Sequence, residues 1–261
     1  GGVSEEVKAE KRHELGLDRP FLVQYGDWLG GVVTGDMGRS YISGKLVFDT
    51  FAERLPATVE LMLASIALTM LFTLPLGILA AVRQNTAVDY LIRFLTFVGN
   101  SLPNFFVALL LIYIFALKLG MLPVMSTGGG VQTIVLPAVT LAIAMGAKYT
   151  RQIRAVVLEE LRKPYVDGAR ARGVPERWIL WRDVLKSSFI TIITLLALSI
   201  GSLLGGTAIV ESIFLWDGVG KMAVDAILMR DYPLIQSYVV WMSFIYVGVN
   251  LAADLIYHAL D

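Results

Sequence analysis

Five long apolar stretches in this 261-residue chain leave few folds open to it. A helix needs roughly 20 residues to cross the hydrocarbon core of a bilayer, and most of the stretches reach that length. Hydrophobic residues make up 56% of the sequence and charged residues 17%, which is too apolar for an ordinary soluble domain. The sequence therefore predicts an all-α polytopic membrane protein. We place its five transmembrane helices at residues 57–82, 90–119, 131–147, 187–215 and 234–260.

The third stretch is the least regular of the five. Its apolar run is short and contains Pro137, but a helix can continue beyond it through Lys148 and Arg151. The predicted transmembrane domain covers residues 57–261.

Residues 1–56 are polar and of mixed charge. Ser4 can cap a first helix that ends at Gly16, and Pro20 can open a second one. A series of glycines then interrupts the helical pattern: Gly30, Gly31, Gly35 and Gly38. We expect a small ordered cap at a membrane surface, with a loosely structured tail as the alternative.

The segment 148–186 carries ten Lys or Arg residues against five acids. Such a basic excess is typical of cytoplasmic loops, so we expect this loop inside the cell. Alternation of the helices then places the cap outside and the C terminus in the cytoplasm. Five spans after an outer cap also lead us to expect one further helix before Gly1.

Within this loop, Pro164 and the pair Gly173 and Pro175 bound a short helix over residues 165–172. Two helical turns do not recover the cost of nucleation, so such a helix requires a surface to pack on. We therefore expect this segment to bind a partner.

The sequence of this helix resembles the EAA loop of permease subunits in bacterial ABC importers. Asp167 stands where that loop has Glu, Gly168 and Ala169 stand for its two alanines, and Gly173 matches its glycine. The resemblance implies that the segment docks on a cytoplasmic ATPase. The implied ATPase-coupling residues are Tyr165, Asp167, Gly168, Ala169, Arg170, Arg172 and Gly173.

Other segments resemble the B-type permeases of the dipeptide, oligopeptide and nickel importers: residues 17–25, 35–40, 55–58, 211–220 and 230–233. Residues 101–105 are more similar to the nickel branch. The resemblance implies a type I ABC importer permease fold that moves nickel, as a chelate, or di- and oligopeptides. The implied partners are a second, homologous permease subunit in a heterodimer, two cytoplasmic ABC ATPases and an extracytoplasmic substrate-binding protein.

Polar residues inside the predicted helices are candidates for lining the path. Asn100, Ser101 and Asn104 surround Pro103 in the second span, and Asn250 and Asp254 lie one turn apart in the last. The first group could equally be a hydrogen-bond cluster that fixes helix packing. For Glu60 and Glu211, near span ends, we expect side chains that reach the interface.

Several other functions are disfavoured by what the sequence contains. The chain has no cysteine, and its two histidines, His13 and His258, fall on opposite sides of the membrane, so we expect no metal site. Because no span carries paired histidines or clustered carboxylates and no HExxH or GxSxG pattern is present, we expect no enzyme activity. The chain also lacks a phosphate-binding Gly-rich loop with Lys-Ser or Lys-Thr, so we expect ATP and Mg²⁺ to be used by partner ATPases and no cofactor to be bound by this chain. An ion-coupled secondary transporter or channel subunit is the alternative, although the intramembrane charge pairs or broken inverted repeats it predicts are not evident. We expect membrane lipid around the helices and no nucleic acid as a partner.

Overall fold

The structure is a computed structural model that describes residues 4–125 and 130–260. Its described part is helical, with no β-strand beyond an isolated bridge between Arg39 and Leu46. In chain order the helices are α1 (Glu5–Glu14), α2 (Phe21–Thr34), α3 (Val47–Val82), α4 (Ala87–Ser101), α5 (Asn104–Leu111), α6 (Val131–Leu161), α7 (Pro164–Ala171), α8 (Glu176–Trp178), α9 (Leu185–Phe214), α10 (Val219–Met229) and α11 (Tyr232–Leu260). Two π-helical segments, Ile112–Lys118 and Ile179–Val184, continue α5 and α8.

Among the described residues, four helices are long and apolar enough to cross a membrane, and a bent pair of helices would make a fifth. The bent pair is α4 and the helix Asn104–Lys118, which meet at 101°. The predicted second span, 90–119, corresponds to this pair and is broken within it, because Leu102 is extended, with φ −86° and ψ 130°. Pro103 causes this break, since its ring disfavours helical backbone in the preceding residue.

The first span begins earlier than predicted, at Val47 instead of residue 57. Val47 and Phe51 are buried, and the Phe51 ring lies 4.8 Å from that of Trp241 on α11. These contacts add turns to the N-terminal end of α3, and the helix continues through Pro56, which removes only one backbone donor. The predicted domain boundary at residue 56 thus falls inside one helix.

The predicted loops also contain more helix than expected. α6 runs through Lys148 to Leu161, as the sequence allowed, so the loop predicted to start at 148 starts after residue 161. The predicted link 216–233 contains α10. Its short helix was missed because it is flanked by turns at Leu215 and Arg230, both with positive φ.

The helices α3 and α6 pack closely along their length. A side chain on Gly77 of α3 would place its Cβ 2.7 Å from Ile153 of α6. Leu61, Leu141 and Phe214 form an apolar cluster near one end of the bundle, and Ile153 and Ile179 belong to another near the other end.

The cap follows the prediction at its start and departs from it later. Ser4 caps α1, Gly16 follows that helix with φ +66°, and Pro20 precedes α2. α2 continues through Gly30 and Gly31 to Thr34, so the predicted break there is wrong, because glycine weakens a helix without ending it.

The cap is also attached to the bundle. Ser40 donates its hydroxyl, and Tyr41 its N–H, to the carboxylate of Asp231 between α10 and α11. Ser40 and Asp231 are buried, so two segments that the sequence singled out separately meet here.

Candidate functional site

The helix α7 has the short form that the sequence predicted. Pro164 occupies its first turn, where a missing N–H costs nothing, and the helix ends at Ala171. Gly173 has φ +77°, and the N–H groups of Gly173 and Val174 donate to the carbonyls of Arg170 and Ala169 at 2.9 and 3.1 Å. This pair of bonds is a Schellman motif, which requires a left-handed residue at Gly173. We call residues 165–173 the coupling segment, after the role that the sequence resemblance implies.

One face of the coupling segment packs on the chain itself. Val166 and Ala169 are buried in an apolar cluster with Val157 of α6 and the π-helical residues Ile179 and Val184. Ala169, one of the implied coupling residues, is therefore turned toward its own chain and is only 4% exposed. Ala169 lets α7 lie against its own chain, and this packing supplies the stability that two turns lack.

The other face of the coupling segment is exposed and charged. Tyr165, Asp167, Arg170, Arg172 and Gly173 are exposed, and Gly168 is half-buried. The Arg170 guanidinium lies 2.6 Å from Glu176 and 3.3 Å from Asp167. Arg170 holds the pKa of the Glu176 carboxyl below its ordinary value, and Glu176 raises the pKa of Arg170.

A second polar group joins the coupling segment to the end of α6. Tyr165 donates its hydroxyl to Glu160 at 3.0 Å, and Lys163 lies 2.7 Å from the same carboxylate. Partial desolvation of the hydroxyl, together with the bond to Glu160, raises the pKa of Tyr165 to about 12. The phenol therefore remains a neutral donor, and Glu160 connects α6 to α7.

At the opposite end of the bundle, Glu211 of α9 is fully buried. The prediction that the Glu211 side chain reaches the membrane interface is therefore wrong, whereas the Glu60 side chain is exposed. Thr58 donates its hydroxyl to one Glu211 oxygen at 2.8 Å, and the Lys221 N–H donates to the other at 2.9 Å. The carboxylate thereby satisfies one backbone donor in the first turn of α10, where the helix dipole also favours negative charge.

Two glycines make room for this carboxylate. A Cβ at Gly218 would lie 2.4 Å from the Thr58 hydroxyl and 2.5 Å from Glu211, and a Cβ at Gly220 would lie 2.8 Å from Glu211. We call Thr58, Glu211, Gly218, Gly220 and Lys221 the carboxylate anchor. It joins α3, α9 and α10.

Sequence reasoning also missed a buried ion pair between α4 and α6. The Arg154 guanidinium donates two bonds of 2.8 Å to Asp89, whose side chain is fully buried. The Asn85 N–H donates to the same carboxylate at 3.0 Å. The pair fixes the start of α4 against the C-terminal half of α6.

The candidate path residues do not form one group. Asn100, Ser101 and Asp254 are exposed, and Asn250 lies beside Gly201, with its side-chain oxygen 3.3 Å from the position a Gly201 Cβ would take. Asn104 lines a cavity of about 240 Å³. Within residues 4–125 and 130–260, no group of three or more His, Asp or Glu side chains could hold a metal ion.

The comparisons with known proteins agree with this architecture. Residues 73–261 match the family described as "Binding-protein-dependent transport system inner membrane component". The chain is 37% identical to the oligopeptide transport system permease protein AppB of Bacillus subtilis, over 99% of this chain and 85% of that protein. It is 36% identical to the glutathione transport system permease protein GsiC of Escherichia coli K12, over 96% of this chain and 81% of that protein.

A solved structure gives an independent likeness in fold. The inward-facing methionine ABC transporter MetNI matches with a TM-score of 0.68 at 16% identity, over 81% of this chain and 96% of the matched chain. The relatives in sequence are permease proteins, so the chain is a transport subunit and not an enzyme. The chain belongs to the family of binding-protein-dependent transport system inner membrane components, and it is a multi-pass permease subunit of an ABC importer.

Proposed function

We propose that this permease subunit forms part of the import path for a peptide-class substrate. Its near full-length similarity to an oligopeptide permease and a glutathione permease supports this choice. Nickel is supported only by the resemblance of residues 101–105, a short segment at the break between α4 and α5.

In this proposal, the coupling segment is the part of the chain on which the ATPases act when they close. The observation that carries it is the two-sided character of α7, which is embedded through Val166 and Ala169 and exposed through Tyr165, Asp167 and Arg172. Such a helix is fixed to its own chain and presents an exposed polar face. It can therefore transmit the movement of a docked protein to α6 and α9. A helix loosely attached to the bundle would move without transmitting force.

The proposed partners are the proteins that would act on the coupling segment and the protein that would deliver the substrate. Two cytoplasmic ATPases bind ATP and Mg²⁺ and dock on the coupling segments of this subunit and of a second, homologous permease chain. A substrate-binding protein delivers the substrate from outside. Closure of the ATPases then turns the helices from an inward-open to an outward-open arrangement.

The proposed orientation places α7 and the C terminus in the cytoplasm and the cap outside. The basic excess around α7 supports this orientation. The two domains are then an extracytoplasmic cap and a transmembrane domain that share the long helix α3.

Reconstitution of the whole importer tests the proposal. The permease, its co-encoded permease partner, ATPases and binding protein would be placed in proteoliposomes, and uptake of a labelled dipeptide, an oligopeptide, glutathione and a nickel chelate would be measured. We expect accumulation of at least one peptide substrate that requires both ATP and the binding protein. Accumulation of the nickel chelate alone would overturn the peptide assignment, and ion-driven uptake without ATPases would overturn the coupling.

A further inference from the structure

We propose that the cavity beside Asn104 binds the carboxylate of a substrate in transit, an inference that rests on the peptide-class function proposed above. The cavity lies between α5, α6 and α9 and has a volume of about 240 Å³. Its polar lining comes from Asn104, Lys148 and Tyr149, and its apolar lining includes Leu141 and Met145. No Asp or Glu is among the residues that line it.

Lys148 supplies the positive charge of this cavity. It lies inside α6, and within the described part of the chain no carboxylate forms an ion pair with it. Arg154, six residues further along the same helix, is neutralised by Asp89 at 2.8 Å. A cation within a membrane-crossing helix is tolerated where it faces water or a ligand, and Lys148 is exposed, so its ammonium group is accessible to an anion.

Tyr149 is the second observation that points to a ligand. Its side chain is 2% exposed and lines the same cavity, and its hydroxyl has no hydrogen-bond partner among the described residues. A buried hydroxyl without a partner destabilises the protein, and such groups are rare in folded chains. The hydroxyl oxygen is itself fully buried, so the phenol must turn toward the cavity before it can donate to a carboxylate held by Lys148.

The break between α4 and α5 completes the site. Because Pro103 ends the first helix, Asn104 starts a new one at the edge of the cavity, and the positive end of that helix faces the same region. The side-chain amide of Asn104 adds a neutral donor and acceptor. The break at Pro103 thus places the N-terminus of a helix at the cavity, which a continuous span would not do.

The size of the cavity limits what it holds. Pockets that enclose a drug-sized ligand measure about 300–1,000 Å³, so this cavity fits one end of a peptide and not a whole oligopeptide. Leu141 and Met145 can contact an apolar side chain next to the carboxylate. We therefore assign the cavity to the C-terminal residue of a peptide-class substrate.

A matched pair of peptides tests this assignment in the reconstituted importer. The two peptides have the same sequence, one with a free C-terminal carboxylate and one with a C-terminal amide. The uptake ratio of acid to amide is compared between wild type and variants with the same binding protein, so that selectivity of the binding protein cancels. The variants are Lys148→Met, Lys148→Arg and Tyr149→Phe, with Lys118→Met as the control for loss of an exposed lysine elsewhere.

We expect Lys148→Met to lower the ratio by about 10- to 100-fold, as loss of a charge-assisted hydrogen bond does, and Tyr149→Phe by about 3- to 10-fold. Lys148→Arg and Lys118→Met should keep the wild-type ratio. A variant is included only if it co-purifies with its partner subunits and hydrolyses ATP, and Tyr149→Phe carries the test if Lys148→Met does not assemble.

Unchanged ratios in Lys148→Met and Tyr149→Phe, with good peptide uptake, would overturn the carboxylate site and leave the proposed function standing. For Lys148→Arg, a ratio that falls as far as expected for Lys148→Met would overturn the role of the positive charge. Absence of any ATP-driven peptide uptake by wild type would instead overturn the proposed function itself.

Discussion

The carboxylate anchor and the coupling segment lie at opposite ends of the bundle and use polar groups in opposite ways. In the anchor, the Glu211 carboxylate is fully buried and receives its bonds from a hydroxyl and a backbone N–H, with glycines packed against it. In the coupling segment, apolar side chains provide the attachment, and charged groups such as Arg170 and Asp167 stay at the surface.

This difference indicates which end is fixed and which is free to bind. A buried carboxylate with two donors is costly to disturb, because each broken bond leaves a polar group without a partner. Exposed ion pairs contribute little to stability and can be exchanged for pairs with another protein. We therefore interpret the anchor as a rigid junction of α3, α9 and α10, whereas the exposed charges of the coupling segment are compatible with the docking role proposed for it.

The largest effect should come from a methyl group added to the anchor. Gly218→Ala places a Cβ 2.4 Å from Thr58 and 2.5 Å from Glu211, so it should lower the free energy of unfolding by about 3 kcal/mol. Gly168→Ala in the coupling segment is the matched control, since the nearest atom lies 3.7 Å away, and it should change stability by less than about 1 kcal/mol. Unfolding in mixed detergent micelles measures the stability of both variants. Equal losses in the free energy of unfolding would contradict the contrast between the two regions.

Removal of an acid from each region should give the next largest difference. Glu211→Ala leaves the Thr58 hydroxyl and the Lys221 N–H without an acceptor, and we expect a loss of about 2 kcal/mol. Glu176→Ala removes a half-exposed pair with Arg170 and should cost about 0.5 kcal/mol. A Glu211→Ala variant as stable as wild type would show that the anchor is not rigid.

A third variant separates coupling from stability. Gly173→Val forces a β-branched residue into φ +77° at the end of α7, and we expect a loss of about 1–2 kcal/mol. The protein should still insert in the membrane, but uptake and co-purification of the ATPases should fall together. Wild-type uptake with normal ATPase assembly would contradict the role of the coupling segment.

The smallest effect concerns pH. Arg170 depresses the pKa of Glu176 below its ordinary value of 4.5, so the folded state favours the ionised carboxylate. The stabilisation from the pair is therefore present above pH 4.5 and is lost as the pH falls through the lower folded-state pKa. The difference in stability between wild type and Glu176→Gln should be less than about 0.5 kcal/mol at pH 7 and should vanish in acid. If the difference in stability between wild type and Glu176→Gln grew as the pH falls, the predicted direction of the pKa shift would be contradicted.

Local rules in the sequence predicted the coupling segment well and the anchor poorly. Pro164 and Gly173 act on their own neighbours, so the bounds of α7 could be read to within a residue. The burial of Glu211 depends on Thr58 and on the first turn of α10, which lie far away in the sequence. The local sequence around a glutamate near the end of an apolar stretch does not show whether its side chain faces water or a helix terminus. The closely spaced Gly218 and Gly220 were the available signal.

The central claim, that the coupling segment is the contact with the ATPase, can be tested by site-specific crosslinking. The chain has no cysteine, so Asp167→Cys, on the exposed face of α7, would be a unique thiol, and Ser43→Cys in the cap is its matched control. In the assembled importer, we predict that a short thiol-reactive crosslinker joins position 167 to an ATPase and does not join position 43 to one. Crosslinking to an ATPase from position 43, or none from position 167 in a complex that hydrolyses ATP, would contradict the account.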